Sequence, residues 1–253
     1  MWEQRDYMYE GESFTVPTPH NILPKPYGPG HPAIWVACGN PATFAQAGQM
    51  GIGAIAFNFE PVFGLKGRID AYKEAIADCT DPIGQYINDN VMLTNAVICL
   101  ADRKRAREIA LRECRGYLYS LVCLYHDTIP KPDYAPTWPE TIGGVPDEET
   151  LDRLIEDGWL LCGEPDEVAE QLARYEQVGC DQVVFGLPSD SMEHEEVLEM
   201  LEVFGTKVIP QFDTDPVHRT TRLRERAVRK YPDFAFDVPD IEVPNLPTNA
   251  LIR

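Results

Sequence analysis

Residues 32–59, PAIWVACGNPATFAQAGQMGIGAIAFNF, constrain the fold more than any other stretch. Ile34–Cys38 is an apolar run of strand formers, ended by Gly39-Asn40-Pro41. Asn40 suits the N-cap of a helix and Pro41 its first position, where the missing N–H removes no hydrogen bond. Phe44, Ala47 and Met50 fall on one side of that helix, Gly51 ends it, and Gly53–Phe57 is the next buried strand. A strand feeding a capped helix through a small-residue turn aims backbone N–H groups at one spot, and the helix dipole favours an anion there. The helix start at Gly39-Asn40-Pro41 is therefore a candidate phosphate site; the competing reading is an ordinary βαβ unit with an empty helix end.

The same grammar recurs along the chain. Leu65–Cys79 has Ile69, Tyr72 and Ile76 at helical spacing, and Asn90–Leu100 reads as a strand covered on both faces. Asp102 caps a helix whose buried stripe runs through Ala106, Ile109, Ala110, Cys114, Tyr117, Leu118 and Leu121. Arg103, Lys104, Arg105 and Arg107 fall on its wet side; a solvated face is the simple reading and a phosphate or partner patch the other. Helices follow at 147–157 and, with Pro165 at the first position, from Glu164 to Gly179. Gln182–Phe185 is a fourth strand and Glu193–Phe204 its covering helix. Strand–helix units repeated in this way specify a parallel sheet with right-handed crossovers. The division expected is an extended lead-in at 1–33, an α/β domain at 34–207 and a Pro-rich, charged tail at 208–253. Between 125 and 146 periodicity disappears among Pro, Gly and aromatic residues, the pattern of a lid or binding loop.

Composition narrows the class. A net charge of −19 argues against nucleic acid or an anionic membrane surface as partner. The seven cysteines form no CxxC pair, most lie in apolar runs, and a reducing compartment is expected. The N-terminal residues lack the apolar core of a signal peptide, and no apolar run reaches bilayer-spanning length, so a soluble, cytoplasmic protein is expected. No HExxH, GxxxxGK[ST] or GxSxG motif occurs, and no metal site is expected. His126 stands among Tyr125, Asp127 and Tyr134, where a lid residue would meet a substrate, although a surface histidine is the simpler reading. Asn58 and Glu60 lie just past the second strand, at the edge where α/β folds bind ligands, and read first as turn residues.

Three segments taken together, GESFTVP…NILPKPYGPGHPAIWVACGNPATFAQAGQMGIGAIAF, LADRKRAREIA and GEPDEVAEQLARYEQVGCDQVVFGLP, resemble the luciferase-like flavin-dependent monooxygenase family over residues 9–206. The resemblance implies an α/β fold corresponding to the C-terminal half of a (β/α)8 TIM barrel, strands five to eight. It implies reduced FMN, or the deazaflavin F420 in a sister branch, and usually molecular oxygen. It places the flavin phosphate at Gly39, Asn40, Ala42 and Thr43, and the ring beside Phe57 or Asn58. The lid would carry Tyr125, His126, Tyr134 and Trp138 toward an apolar or aromatic small-molecule substrate. A separate flavin reductase is the expected partner. The family's first barrel half has no counterpart, so no catalytic acid or base is assigned. Four parallel strands leave two raw edges, which implies a longer reading frame, a homo-oligomer or a companion half-barrel. Beside monooxygenation stand two other readings: F420-dependent hydride transfer, and a non-catalytic flavin-binding or structural half-barrel.

Overall fold

The computed structural model describes residues 2, 6–26, 31–57, 60–112, 147–186, 192–215 and 217–230, the side chains of 224 and 226–230 excepted. The chain forms two compact units, residues 34–218 and residues 1–33 with 219–253. In the smaller unit, β1 (Tyr7–Glu10) and β2 (Thr15–His20) pair as an antiparallel hairpin, where the sequence suggests only an extended lead-in. The rings of Tyr9 and Phe14 meet across its turn at 4.8 Å. The helix Arg219–Lys230 belongs to the same unit.

The larger unit opens with β3 (Trp35–Ala37), α1 (Pro41–Gln49) and β4 (Gly53–Phe57). Gly51 turns the chain out of α1 at φ +69°, a conformation that disfavours a side chain. Next come α2 (Lys66–Ala77), β5 (Val91–Cys99) and α3 (Arg103–Ala110). Then follow α4 (Glu148–Glu156), β6 (Leu160–Gly163), α5 (Pro165–Gln177), β7 (Gln182–Gly186) and α6 (His194–Val203). All five strands are parallel, in the side-by-side order β3-β4-β5-β7. The four-residue β6 is not foreseen in the sequence reading, because Leu-Leu-Cys is too short to show alternation.

The placement of β6 follows from register. Met92–Thr94 pair with both β4 and β7, and Ala96 pairs with both Leu160 of β6 and Gly186 of β7. One edge of β5 is thus given to β7, and the other first to β4 and then to β6. The outer edge of β6 is closed by a side chain. Cys162 N–H donates to Gln171 Oε1 at 2.9 Å, and Gln171 Nε2 donates to the Cys162 carbonyl at 3.0 Å, so one amide takes the place of a neighbouring strand.

The two faces of the sheet differ. Ala54, Ala56, Val91, Leu93 and Val97 share one face and are buried against Phe44, Ile69, Tyr72, Ile109 and Val168 of the helices. The opposite parity, with Ile55, Met92, Thr94 and Ala96, is only half-buried, and Phe57 and Val184 are 39% and 45% exposed. Among the described residues the helices cover one face of β5, and its other parity is half-buried up to the buried Ile98. At the N-terminal ends of the strands, Tyr72 Oη accepts from Asn90 N–H and donates to the carbonyls of Asn88 and Ile52. Lys73 pairs with Asp89 and Asp181 at 2.7 and 2.6 Å, and Asp181 also accepts from Val91 N–H.

On α3 Arg103, Lys104 and Arg105 are exposed, as the simple sequence reading has it, Arg107 is half-buried, and the arginines are ion-paired as well. Arg103 pairs with Glu167 of α5, Arg105 with Glu199 of α6, Arg107 with Glu148 and Asp152 of α4, and Arg112 with Glu196 of α6. These arginines tie α3 to three other helices, and Lys104 alone keeps to an i,i+4 pair on an exposed surface. Acids distributed over α4–α6 are what neutralise them, which rules out an unclaimed phosphate patch. The helix is described only to its C-cap at Leu111 and Arg112 beyond it; Cys114, Tyr117, Leu118 and Leu121 lie outside the described residues. No helix among the described residues is long and apolar enough to cross a membrane.

Candidate functional site at the carboxyl ends of the strands

The turn after β3 has the cap that its sequence implies. Asn40 is the N-cap in extended conformation, and its Oδ1 accepts from Thr43 N–H at 3.1 Å. In return Thr43 Oγ1 accepts from Asn40 N–H at 3.3 Å, and its hydroxyl donates to the Asn40 carbonyl at 2.8 Å. This reciprocal box changes the expected picture of a fan of free donors. Asn40 and Thr43 use their N–H groups locally and Pro41 has none, which leaves Gly39 and Ala42 as the turn's other N–H groups. Under the turn, buried Cys38 keeps the strand going by donating its N–H to the Ile55 carbonyl at 2.7 Å. Its thiol points at the carbonyls of Val36 and Thr43, both at 3.6 Å, and burial pushes its pKa upward, so it packs rather than reacts.

Gly39 is exposed, and a Cβ built on it meets no atom within 4 Å. The space beside the helix start is open on the side where a ligand would approach. Register places this turn against the site's apolar part. Ala37 pairs with Ile55, so the turn follows the end of β3 beside the strand that ends in Phe57. Phe57 pairs with Thr94, and Thr94 with Val184, making a half-open row across three strands. At the other end of this face the Trp35 ring lies on Gly53: a Cβ there would sit 2.3 Å from a ring carbon. The arrangement offers two backbone donors and a helix dipole at one end, a flat apolar row beside them and an indole floor below. A ligand with an anionic end and a planar apolar body matches that distribution of donors and surface.

Of the residues singled out in the sequence, Gly39, Asn40, Ala42 and Thr43 share the turn that opens α1, and Phe57 ends the neighbouring strand β4. Asn58, Tyr125, His126, Tyr134 and Trp138 lie outside the described residues. Glu60 forms an ion pair with Arg68, which occupies its carboxylate. Thr94 and Val184 were not foreseen. The period-two parity of β5 held that signal, but it is hidden because Val91, Leu93 and Val97 make the strand look apolar throughout.

Comparison with known proteins decides the family. The sequence model of the luciferase-like monooxygenases matches residues 1–182. The chain belongs to the luciferase-like monooxygenase family. The family match reaches further toward the N-terminus than the motif resemblance, and stops as β7 begins. No curated protein matches the sequence. Among solved structures, a monooxygenase from Streptomyces bottropensis superposes with a TM-score of 0.56 at 18% identity, covering 83% of this chain and 57% of that one. The oxygenating constituent of 3,6-diketocamphane monooxygenase from Pseudomonas putida, a type II Baeyer–Villiger monooxygenase in complex with FMN, gives the same TM-score and identity, with 83% and 59% covered. This luciferase-like chain thus spans somewhat under three fifths of the length of those two structures. The likeness supports an α/β fold of parallel strand–helix units arranged as part of a TIM barrel.

Proposed function

We propose that the chain is the phosphate-binding part of a flavin-dependent monooxygenase that uses reduced FMN and molecular oxygen on a small organic substrate. The observation that carries this reading is the capped start of α1 directly after β3, on the strand next to the half-exposed Phe57–Thr94–Val184 row. The backbone N–H groups of Gly39 and Ala42 would receive the phosphate, with the α1 dipole adding to them. Phe57 and the neighbouring Asn58 would lie along the flavin ring, and the half-exposed apolar row would exclude water from it. Bound reduced flavin supplies the two electrons that activate oxygen. A partner flavin reductase would deliver it reduced, and the 125–146 segment with Tyr125, His126, Tyr134 and Trp138 would close over the substrate. We place the protein in the cytoplasm, where such a reductase and free thiols coexist; five cysteines among the described residues are free.

The test exploits the space at residue 39. Gly39 has neither positive φ nor a close neighbour, so Gly39→Leu leaves the fold intact while filling the approach to the helix start. Titration with FMN, followed by flavin fluorescence, should show tight binding to the unchanged chain and at least tenfold weaker binding to Gly39→Leu at equal thermal stability. A parallel titration with F420 separates the two cofactors. Equal FMN affinity in both proteins would remove the phosphate assignment.

A further inference from the structure

Polar side chains along the sheet are treated differently at its two ends. At the N-terminal ends of the strands they satisfy one another. Gln182 Nε2 donates to Asn90 Oδ1 at 3.3 Å, Asn90 Nδ2 to Asn88 Oδ1 at 2.6 Å, and Asn88 Nδ2 to the Ile34 carbonyl at 3.0 Å. Asn88 and Asn90 are buried, and this line of amides runs from β7 to the residue before β3, as buried amides require.

Thr94 breaks that pattern. It lies on the half-buried parity of β5, level with Phe57 of β4 and Val184 of β7, with Met92 before it and Ala96 after it on the same parity. In this otherwise apolar group Thr94 brings the hydrogen-bonding side chain, and among the described residues its hydroxyl has no hydrogen-bond partner. A half-buried hydroxyl gives up part of its hydration, a cost that valine, of nearly the same shape and equally suited to a strand, does not carry. Packing and strand propensity therefore do not call for threonine here, whereas a bound molecule with a polar edge does.

We propose that the Thr94 hydroxyl is a ligand-binding group that hydrogen-bonds the polar edge of a planar ring and so orients it on the Phe57–Thr94–Val184 row. The inference rests on the flavin reading of the same site. A flavin ring carries carbonyl oxygens and ring nitrogens along one edge, and a hydroxyl, which both donates and accepts, can serve either kind. Phe57 and Val184 offer apolar surface to the body of the ring, and the hydroxyl between them is the fixed polar point. Because threonine is branched at Cβ, few rotamers are open to it, and the direction of the hydroxyl is set before the ligand arrives. The work is thereby divided: the start of α1 receives the anionic end, and Thr94 selects a ring with a hydrogen-bonding edge over a purely apolar one.

The experiment is titration of the full chain with FMN and with riboflavin, which has the same ring and no phosphate, followed by flavin fluorescence. Thr94→Val should weaken both probes by about five- to tenfold, the worth of one hydrogen bond, at an unchanged thermal midpoint. Thr94→Ser, which keeps the hydroxyl, should bind both as the unsubstituted chain does, and Gly39→Leu should weaken FMN alone. If Thr94→Val fails to fold, Thr94→Ala removes the same hydroxyl and gives the reading. Unchanged FMN and riboflavin affinity in Thr94→Val overturns the proposal and leaves the flavin reading standing. So does a loss of the same size in Thr94→Ser, which would make shape the cause, or a loss confined to FMN, which would place the contact at the phosphate. No binding of either probe by the unsubstituted chain overturns the flavin reading and this inference with it.

Discussion

Replacing Gln171 by leucine tests whether one side chain closes the sheet at β6. Gln171 and Cys162 are both buried, and two hydrogen bonds of 2.9 and 3.0 Å join the side-chain amide to both backbone groups of Cys162. Leucine matches the volume but leaves a buried N–H and a buried carbonyl without partners. Each orphaned group costs about 1–3 kcal/mol, and the apolar side chain returns part of that, so Gln171→Leu should lose about 2–4 kcal/mol. Equilibrium unfolding in urea measures it, as a lower midpoint at constant m-value. Gln171→Glu refines the test. Its carboxylate can still accept from Cys162 N–H but sets an oxygen against the carbonyl, which raises its folded-state pKa. A raised carboxyl pKa means that stability is present at low pH and lost as pH rises through it, so the deficit relative to the unsubstituted protein should narrow on acidification. A Gln171→Leu protein within about 0.5 kcal/mol of the unsubstituted chain would refute the reasoning, because surface substitutions reach that value without any such bond.

Three further outcomes follow from the same structure. Arg112 and the N–H of Glu193 hold the Glu196 carboxyl down from the ordinary 4.5 to about 2. Its contribution to stability is therefore full above about pH 4.5 and lost as pH falls toward 2; in Arg112→Ala the stability-against-pH curve should flatten over that window. Burial pushes the thiols of Cys99 and Cys162 up to about 11 and about 12, so mass-mapped alkylation at pH 8 should leave both untouched until the protein is unfolded. Tyr72→Phe removes the hydroxyl that receives Asn90 N–H at 3.0 Å, and a thermal melt should report a loss of about 1–3 kcal/mol; an unchanged midpoint would show that Asn90 finds another acceptor.

Local rules made most elements legible. The Asn40-Pro41 helix start, the Pro165 start and the Gly51 stop each depend on one or two residues whose chemistry acts within a turn. The arginines of α3 show where such reading ends. Four cations in five residues look solvent-facing from their spacing, yet Glu148, Glu167 and Glu199 arrive from helices up to about a hundred residues away to meet them. The phosphate candidate was half legible. The cap is as its residue types dictate, but only the tertiary structure shows that Thr43 and Asn40 satisfy each other's N–H groups.

By itself the sequence determined most of the strands and helices of the 34–218 unit, though neither β6 nor the β1–β2 hairpin, because backbone torsion preferences, caps and apolar spacing act over a few residues. Its motifs also carried the family resemblance, which the family match later placed on residues 1–182. The tertiary structure alone decided which parity of β5 faces the helices, that β6 and β4 share one edge, and that Phe57, Thr94 and Val184 lie abreast. The physical reason is register. Pairing between strands separated by a whole helix sets which side chains lie abreast, and no run of neighbouring residues encodes that choice.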